Sequence, residues 1–422
     1  MPNLDFEGQN TLYATHGLHA FAAKCPPQLV RYGLRYYSKY GDVVVDPMMG
    51  SGTTIVESKL MGRNAIGYDL DPLSTLLAGV KSTEIQDEAL ASAAEQIIAS
   101  ARIDFELWCS YPDTPKLASR ATPPDFRNRD YWFLPEVAAA LSLLSYYISE
   151  ADTTENVRHF CWIAFSSLIL AKNSVANARD IVHSRHHHKH HDQAPDVITK
   201  FSQRITRMRK QMAEYRQLSK KHETIKTKVE KADARKLPLD DEQADLVFTS
   251  PPYVTALDYP RAHFLAIPWM YDVLGLELSD YIKQAPIYIG SERGSQPRTL
   301  EIDPELSKHS LSMDTLDKLT VKSTRHAKLL YRYMVDMHSS LNEMSRVLRT
   351  HKHIIIVVCP SHMRKVDVPT HDILVELGRD AGLKLKQKHT RTISKRKRIL
   401  PYMKEAFGQR MSTEYVLVFQ KR

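Results

Sequence analysis

The chain has 422 residues, 43% hydrophobic and 25% charged, which fits a folded globular protein and excludes a disordered or collagen-like one. Its formal net charge of +9 suits a polyanionic partner without identifying one. No apolar run is long enough to span a bilayer, the first residues do not read as a secretory signal, and the four scattered cysteines form no CxxC pair. These features argue against a membrane partner, a disulfide framework and a structural zinc site, so a reducing cytoplasm is expected.

In chain order, the first legible element is the apolar strand Val43-Val44-Val45-Asp46. It runs into a small-residue turn, Pro47 to Thr54, and then a helix-like stretch, Ile55 to Leu60. A glycine-rich strand-to-helix turn lets a ligand approach the backbone. No Gly-Lys-Ser/Thr follows, so it is not a phosphate-cradling P-loop. Ala65 to Asp69 reads as a second strand, completing a βαβ unit. Its terminal acid stands about 20 residues beyond the turn, where a ribose-binding carboxylate is expected.

A helix-rich stretch then interrupts the strand pattern. Residues 87–102 are Ala-rich and amphipathic, residues 111–127 hold four prolines and read as a loop, and 135–150 and 154–172 read as apolar helices. In the next helix Ile198, Phe201, Ile205, Met208, Met212 and Tyr215 repeat at alternating spacings of three and four, a packing stripe. Its basic side chains, Lys200 and Arg204 among them, are read as a solvated face, with a rail beside nucleic acid as the sharper alternative. Strand patterns return at 225–229, 244–248, 354–358, 383–389 and 414–420, with a helix over 331–348. This order predicts an α/β protein: a Rossmann-like, doubly wound, seven-stranded sheet with a helical insertion and ligands at the carboxyl ends of its strands. The expected division is 1–82 for the first part of the core, 83–224 for the insertion, and 225–422 for the second part, with a long loop-like excursion over 277–320.

Thr249-Ser250-Pro251-Pro252-Tyr253 ends the strand at 244–248. Two prolines fix φ and remove two main-chain donors. Carbonyls and the Ser250 hydroxyl are left as acceptors, with the Tyr253 ring as a stacking face. Such a set suits a flat ring bearing an exocyclic amine.

Together these motifs resemble the DNA amino-methyltransferases, which methylate N4 of cytosine or N6 of adenine with S-adenosylmethionine. The Asp46 to Thr54 turn is similar to the family's cofactor motif, and Thr-Ser-Pro-Pro-Tyr to its catalytic motif in the serine form most associated with cytosine. Two further segments are similar: His16 to Lys24, the motif that closes over the methionine end of the cofactor, and Ala232 to Pro238, an acidic loop that contacts adenine. The resemblance implies a class I methyltransferase fold. It implies catalysis by Ser250, Pro251, Pro252 and Tyr253, the first two accepting the amine hydrogens and Tyr253 stacking on the base. A cofactor site is implied at Phe21, Lys24, Asp46, Pro47, Gly50, Ser51, Gly52, Thr53, Thr54, Asp69, Asp233, Ala234 and Thr249. Asp46 would hold the ammonium end, Asp69 the ribose and Asp233 the adenine amine, with Gly50 and Gly52 letting the cofactor lie against the backbone. The target base would have to leave the duplex to reach such a pocket.

Double-stranded DNA is the implied partner, with modification alongside a restriction endonuclease as the expected setting. Candidate DNA contacts are Arg179 and Arg185, beside and within a six-histidine run over 183–191; Arg261 and His263, after the catalytic turn; and Arg391, Lys395, Arg396 and Arg398, in a basic run expected to connect the last two strands. Adjacent histidines make poor tetrahedral geometry, so no metal is expected. Cys359 invites comparison with enzymes that attack a cytosine ring, but it ends a different strand from Ser250 and reads as a buried structural thiol. The alternatives are adenine-N6 methylation, an RNA amine as substrate, and a non-catalytic nucleic-acid-binding protein. The cofactor motif precedes the catalytic one, unlike the commonest serine-type order, so the place of the target-recognition element is open.

Overall fold

The computed structural model describes residues 4–21, 24–170, 174–177, 193–254, 262–292, 301–393 and 413–422. Seven strands make one sheet, in the order β3-β2-β1-β4-β5-β9-β8. They are β1 (Val43–Asp46), β2 (Asn64–Asp69), β3 (Thr227–Lys231), β4 (Ala244–Thr249), β5 (Leu348–Val358), β8 (Leu383–Thr392) and β9 (Thr413–Lys421), while β6 (Ser361–Met363) and β7 (Val366–Val368) form a separate hairpin. All neighbouring pairs from β3 to β5 are parallel, and β9 runs antiparallel to both β5 and β8. This is the Rossmann-like class I methyltransferase sheet that the sequence leads one to expect.

The central strands are apolar on both faces because both are covered. Val44, Leu246, Phe248, Ile355 and Val357 pack with Leu29, Val30 and Leu34 of the Pro27–Tyr37 helix. Their sequence neighbours Val45, Val247, Ile354, Ile356 and Val358 point the other way, into a core shared with helices Ser310–Lys322, Thr324–Val347 and Thr370–Asp380. With β1 and β4 side by side in parallel, their carboxyl ends come together. The turn after Asp46 thus meets the turn after Thr249.

The helices between β2 and β3 join the sheet-flanking helices in one apolar cluster. Val56, Leu60, Leu73 and Leu77, from helices Thr53–Leu60 and Pro72–Ser82, belong to it together with Leu141, Phe165 and the stripe Phe201, Ile205, Met208 and Met212. The stripe residues lie in the Val197–Ser219 helix and are buried, as the spacing predicts.

Three local expectations change. The proline-punctuated stretch 111–127 contains a helix, Pro115–Ala121, because Pro115 stands in the first turn, where its missing N–H is not needed. The 277–320 excursion is largely helical where described: Leu278–Gln284, Pro304–Ser307 and Ser310–Lys322 bury Tyr281, Leu306, Leu316 and Leu319. The strand expected over 383–389 reaches Thr392, so Arg391 lies inside β8 and not in the connection that follows. Lys384, Lys386 and Lys388 also lie on the sheet's outer strand, where lysines discourage edge-to-edge pairing.

Met208 is fully buried between the insertion and the sheet-flanking helices. Met208→Ala should lower stability by about 2–5 kcal/mol. Urea unfolding followed by circular dichroism and by tryptophan fluorescence should shift as one transition, because Trp162 and the Leu73 helix share that cluster. Two separated transitions would show that the insertion unfolds alone.

Candidate functional site

One cavity lies at the carboxyl ends of β1, β2 and β4 and beside the segment that follows β3. Phe21 and Lys24 line it from before β1. Asp46, Pro47, Gly50, Ser51, Thr53 and Thr54 line it from the turn, and Asp69 from the end of β2. Asp233 and Ala234 enter after β3, and Ser250 and Pro252 after β4. Gly52, Thr249, Pro251 and Tyr253 are not part of the lining. Residues predicted for cofactor and catalysis thus converge on one space from four strand ends.

The turn is held by its own main chain. Asp69 accepts the Gly50 N–H at 2.8 Å through one oxygen and the Asp71 N–H at 2.9 Å through the other. Asp46 accepts the Met48 N–H at 3.2 Å. From the Pro72–Ser82 helix the buried Lys81 ammonium donates to the Ser51 carbonyl at 2.5 Å. Burial pushes the Asp46 carboxyl up to about 6, against the Thr54 and Thr249 hydroxyls and the Met48 N–H. Burial and the neighbouring Asp71 charge push Asp69 up to about 7. Both acids would gain from a ligand that brings positive charge or hydrogen-bond donors.

Gly52 serves the turn differently from the sequence expectation. A Cβ on Gly52 would stand 2.7 Å from Ala78 Cβ, inside the next helix and away from the cavity. A Cβ on Gly50 would stand 3.3 Å from the Phe21 ring. Both residues have positive φ, +49° at Gly50 and +74° at Gly52. Gly52 is therefore required by backbone conformation and helix packing.

Before β1, Lys24 donates to the carbonyls of His16 and His19, both at 3.1 Å, and burial lowers its ammonium to about 8. His16 and Tyr13 bond to the buried Glu57 at 2.7 and 2.5 Å, and Arg31 donates to its other oxygen at 2.5 Å. The short helix Ala14–Gly17 is thereby pinned to the Thr53–Leu60 helix beside the cavity.

At the turn after β4 the Ser250 hydroxyl donates to the Val357 carbonyl of β5 at 3.2 Å. Its proton is engaged there, so what it can offer elsewhere is lone pairs. Tyr253 donates to Glu414 at 3.1 Å, and Arg391 stands 3.1 Å from the other oxygen of Glu414. Arg391 is buried in this pair, and its predicted role in touching phosphate gives way to holding the residue that holds Tyr253. Cys359, from the end of β5, sits close to Tyr253 and Glu414; burial and the Glu414 charge push its thiol up to about 12. A thiol so raised is a poor nucleophile.

Asp233 is engaged by Arg235, whose Nη2 lies 2.7 Å away and whose main-chain N–H donates at 2.9 Å. Arg235 also reaches Asp336 at 2.7 Å. His263 is corrected too. It is buried at 5% exposure with its Nδ1 3.3 Å from Asp71 and 3.2 Å from the Tyr281 hydroxyl, so it does not line an open groove. Arg179, Arg185, Arg261, Lys395, Arg396 and Arg398 lie outside the described residues. Among the described residues no group of three His, Cys, Asp or Glu side chains could hold a metal ion.

Sequence reasoning missed several lining residues: Cys25, Met48, Met49, Leu70, Ser74, Ala232, Phe248, Tyr288 and Ile289. Met48 and Met49 occupied the variable places of a recognised motif. Tyr288 and Ile289 belong to an apolar triplet between Pro286 and Gly290, a signal hidden by treating 277–320 as a loop.

Known proteins bear on this geometry. The family model N6_N4_Mtase, described as DNA methylase, matches residues 5–74. The Type II methyltransferase M.MvaI of Kocuria varians is 27% identical over 386 residues, 89% of this chain and 83% of that one. M.BsoBI of Geobacillus stearothermophilus is 23% identical over 54% of this chain and 47% of its own length. M.MjaII of Methanocaldococcus jannaschii is 48% identical over only 66 residues, 12% of its length. A SAM-dependent methyltransferase from Methanosarcina mazei superposes over 92% of this chain and 96% of its own, at 8% identity and a TM-score of 0.32, too loosely to bear on function. The chain is thus similar to a Type II methyltransferase across most of its length and to the DNA methylase family model over residues 5–74.

Two predictions follow from the geometry of the turn. In the ligand-free protein the folded state keeps a proton on Asp46 up to about pH 6, whereas an unfolded carboxylate loses it near 4. The folded state binds more protons in that window, so this group's contribution to stability falls as pH rises from about 4 to 6. Asp46→Asn should match the native protein at pH 4 and exceed it by on the order of 2 kcal/mol at pH 7, read as melting temperature against pH. Gly52→Val should lower the melting temperature of the ligand-free protein by several degrees, because its Cβ meets Ala78; an unchanged melting temperature would return Gly52 to a role toward ligand alone.

Proposed function

We propose that this chain is an S-adenosylmethionine-dependent DNA methyltransferase acting on the N4 amine of cytosine. The observation that carries the proposal is the Ser250 hydroxyl. It donates to Val357 at the wall of a cavity shared with Asp46 and Asp69, so its lone pairs are available to an amine. The resemblance to Type II DNA methyltransferases supports DNA as substrate.

The donor set suits the cofactor. S-adenosylmethionine carries an ammonium, two ribose hydroxyls and an adenine amine, all of them donors. Asp46, Asp69 and Asp233, arriving from successive strand ends, are acceptors on one cavity. Asp46 and Asp69 are also acids that burial disfavours as anions, which a cationic ligand would relieve. When bound, the cofactor supplies an electrophilic methyl group.

The protein's part is to present the amine. The lone pair of cytosine N4 is delocalised into the ring, so the nitrogen must pyramidalise to react. Ser250 Oγ and the Pro251 carbonyl accept its two hydrogens and favour that geometry and the positive charge that develops. Tyr253, fixed by Glu414, offers a ring for the flipped base to stack on. After transfer the alkylated nitrogen is acidic and gives its extra proton to water. No strong general base is required, consistent with the raised Cys359 thiol taking no part.

Ser250→Ala removes one acceptor and leaves the three carboxylates in place. Its kcat should fall by about 10²–10³ while cofactor affinity stays the same. Mass spectrometry of nucleosides from DNA treated with the native protein should give N4-methylcytosine. N6-methyladenine as the sole product would move the proposal to adenine, and methylation confined to RNA would remove DNA as substrate.

A further inference from the structure

Beyond the catalytic turn, the chain returns to the cavity at a place no motif marks. Tyr288 lines the cavity at 8% exposure, and its hydroxyl is buried without a hydrogen-bond partner. The hydroxyl lies near enough to Asp71 to be drawn to that carboxylate, and near Asp69, but no oxygen of either stands within hydrogen-bonding distance of it. Asp71 is already engaged, accepting from the Ser74 N–H at 2.9 Å and the Tyr281 hydroxyl at 2.5 Å.

The segment that carries Tyr288 is braced on every side. Tyr281, seven residues before it, is fully buried on Asp71. Arg235 donates to the Ile287 carbonyl at 3.0 Å, and Arg332 donates to the Pro286 carbonyl. Gly290 has φ +76°, and a Cβ there would stand 2.8 Å from the Tyr253 carbonyl. A buried hydroxyl left unpaired is destabilising, because it has lost its water and gained nothing in return. So firmly held a residue, facing a ligand cavity with an unused donor, is best explained by a partner that arrives with the ligand.

We propose that Tyr288 is a cofactor-binding residue whose hydroxyl completes the ribose subsite begun by Asp69. The proposal rests on the reading of this cavity as an S-adenosylmethionine site. Asp69 stands at the strand end where ribose hydroxyls are bound in such sheets. With both its oxygens held by main-chain N–H groups, it accepts from the ribose through its remaining lone pairs. Tyr288 adds what Asp69 lacks, a group able to donate to a ribose oxygen.

The test is calorimetric titration of S-adenosylhomocysteine into the native protein and Tyr288→Phe. Tyr288→Phe keeps the ring and its packing. Its affinity should fall about tenfold, the loss of one good hydrogen bond. The ligand-free Tyr288→Phe protein should melt at the native temperature or above it, since an unpaired buried hydroxyl is gone. With an analogue lacking both ribose hydroxyls, native and Tyr288→Phe proteins should bind alike. Native affinity in Tyr288→Phe would overturn the proposal. So would a lowered melting temperature of the free variant, which would make the hydroxyl a structural partner of Asp71. Failure of the native protein to bind at all would overturn the cofactor reading beneath it.

Discussion

Each oxygen of the Asp69 carboxylate takes a main-chain N–H from a different element, Gly50 from the turn after β1 and Asp71 from the start of the next helix. This clip fixes where the turn lies relative to β2. Because Asp71 also caps that helix through Ser74 and accepts from Tyr281, the clip extends to the segment beyond the turn after β4. Lys81 closes the arrangement from the far end of the helix by donating to Ser51. The turn, the second strand, its helix and the Tyr281–Gly290 segment are therefore positioned by one chain of hydrogen bonds around two acids.

That chain is electrically uncomfortable without a ligand. Asp46 and Asp69 are both raised by burial, and Lys24 and Lys81 are lowered by it. The apolar surroundings that disfavour these charges are also what would strengthen their bonds to a bound cation or donor. Folding energy for such a site has to come from elsewhere, and the covered sheet and the apolar clusters around it are where it is found. A site that is destabilising when free and stabilised by what it binds makes ligand affinity and fold stability linked quantities.

The sheet was legible because each strand is an apolar run bounded by polar turns, and because βαβ order restricts how parallel strands can be arranged. Asp46, Asp69 and Ser250 were legible for the same reason: each ends such a run. What escaped was carried by contacts distant in sequence. Nothing near Arg391 announces that Glu414, its register partner on β9, turns it inward. Nothing near His263 announces Asp71, nearly two hundred residues earlier. Gly52 was recognised as necessary, but its reason lay in Ala78 on another helix. Local pattern identified residue types and strand ends; it could not say which way a long side chain would go once a neighbouring strand arrived.

The two ends of the cavity are built by different means, and this bears on how the site divides its tasks. The end at the turn after β1 is fixed by main-chain N–H groups, which cannot rotate away. The end at Tyr253 is fixed by side chains on the antiparallel strands: Tyr253 on Glu414, and Glu414 beside Arg391. Side-chain pairs hold a ring in place while allowing it to adjust, which a main-chain clip does not. Gly290 joins the two ends, lying against the Tyr253 carbonyl two residues after Tyr288. A shift of the Tyr288 segment would press directly on the backbone that carries Tyr253, so the two halves of the site are mechanically contiguous through that one glycine.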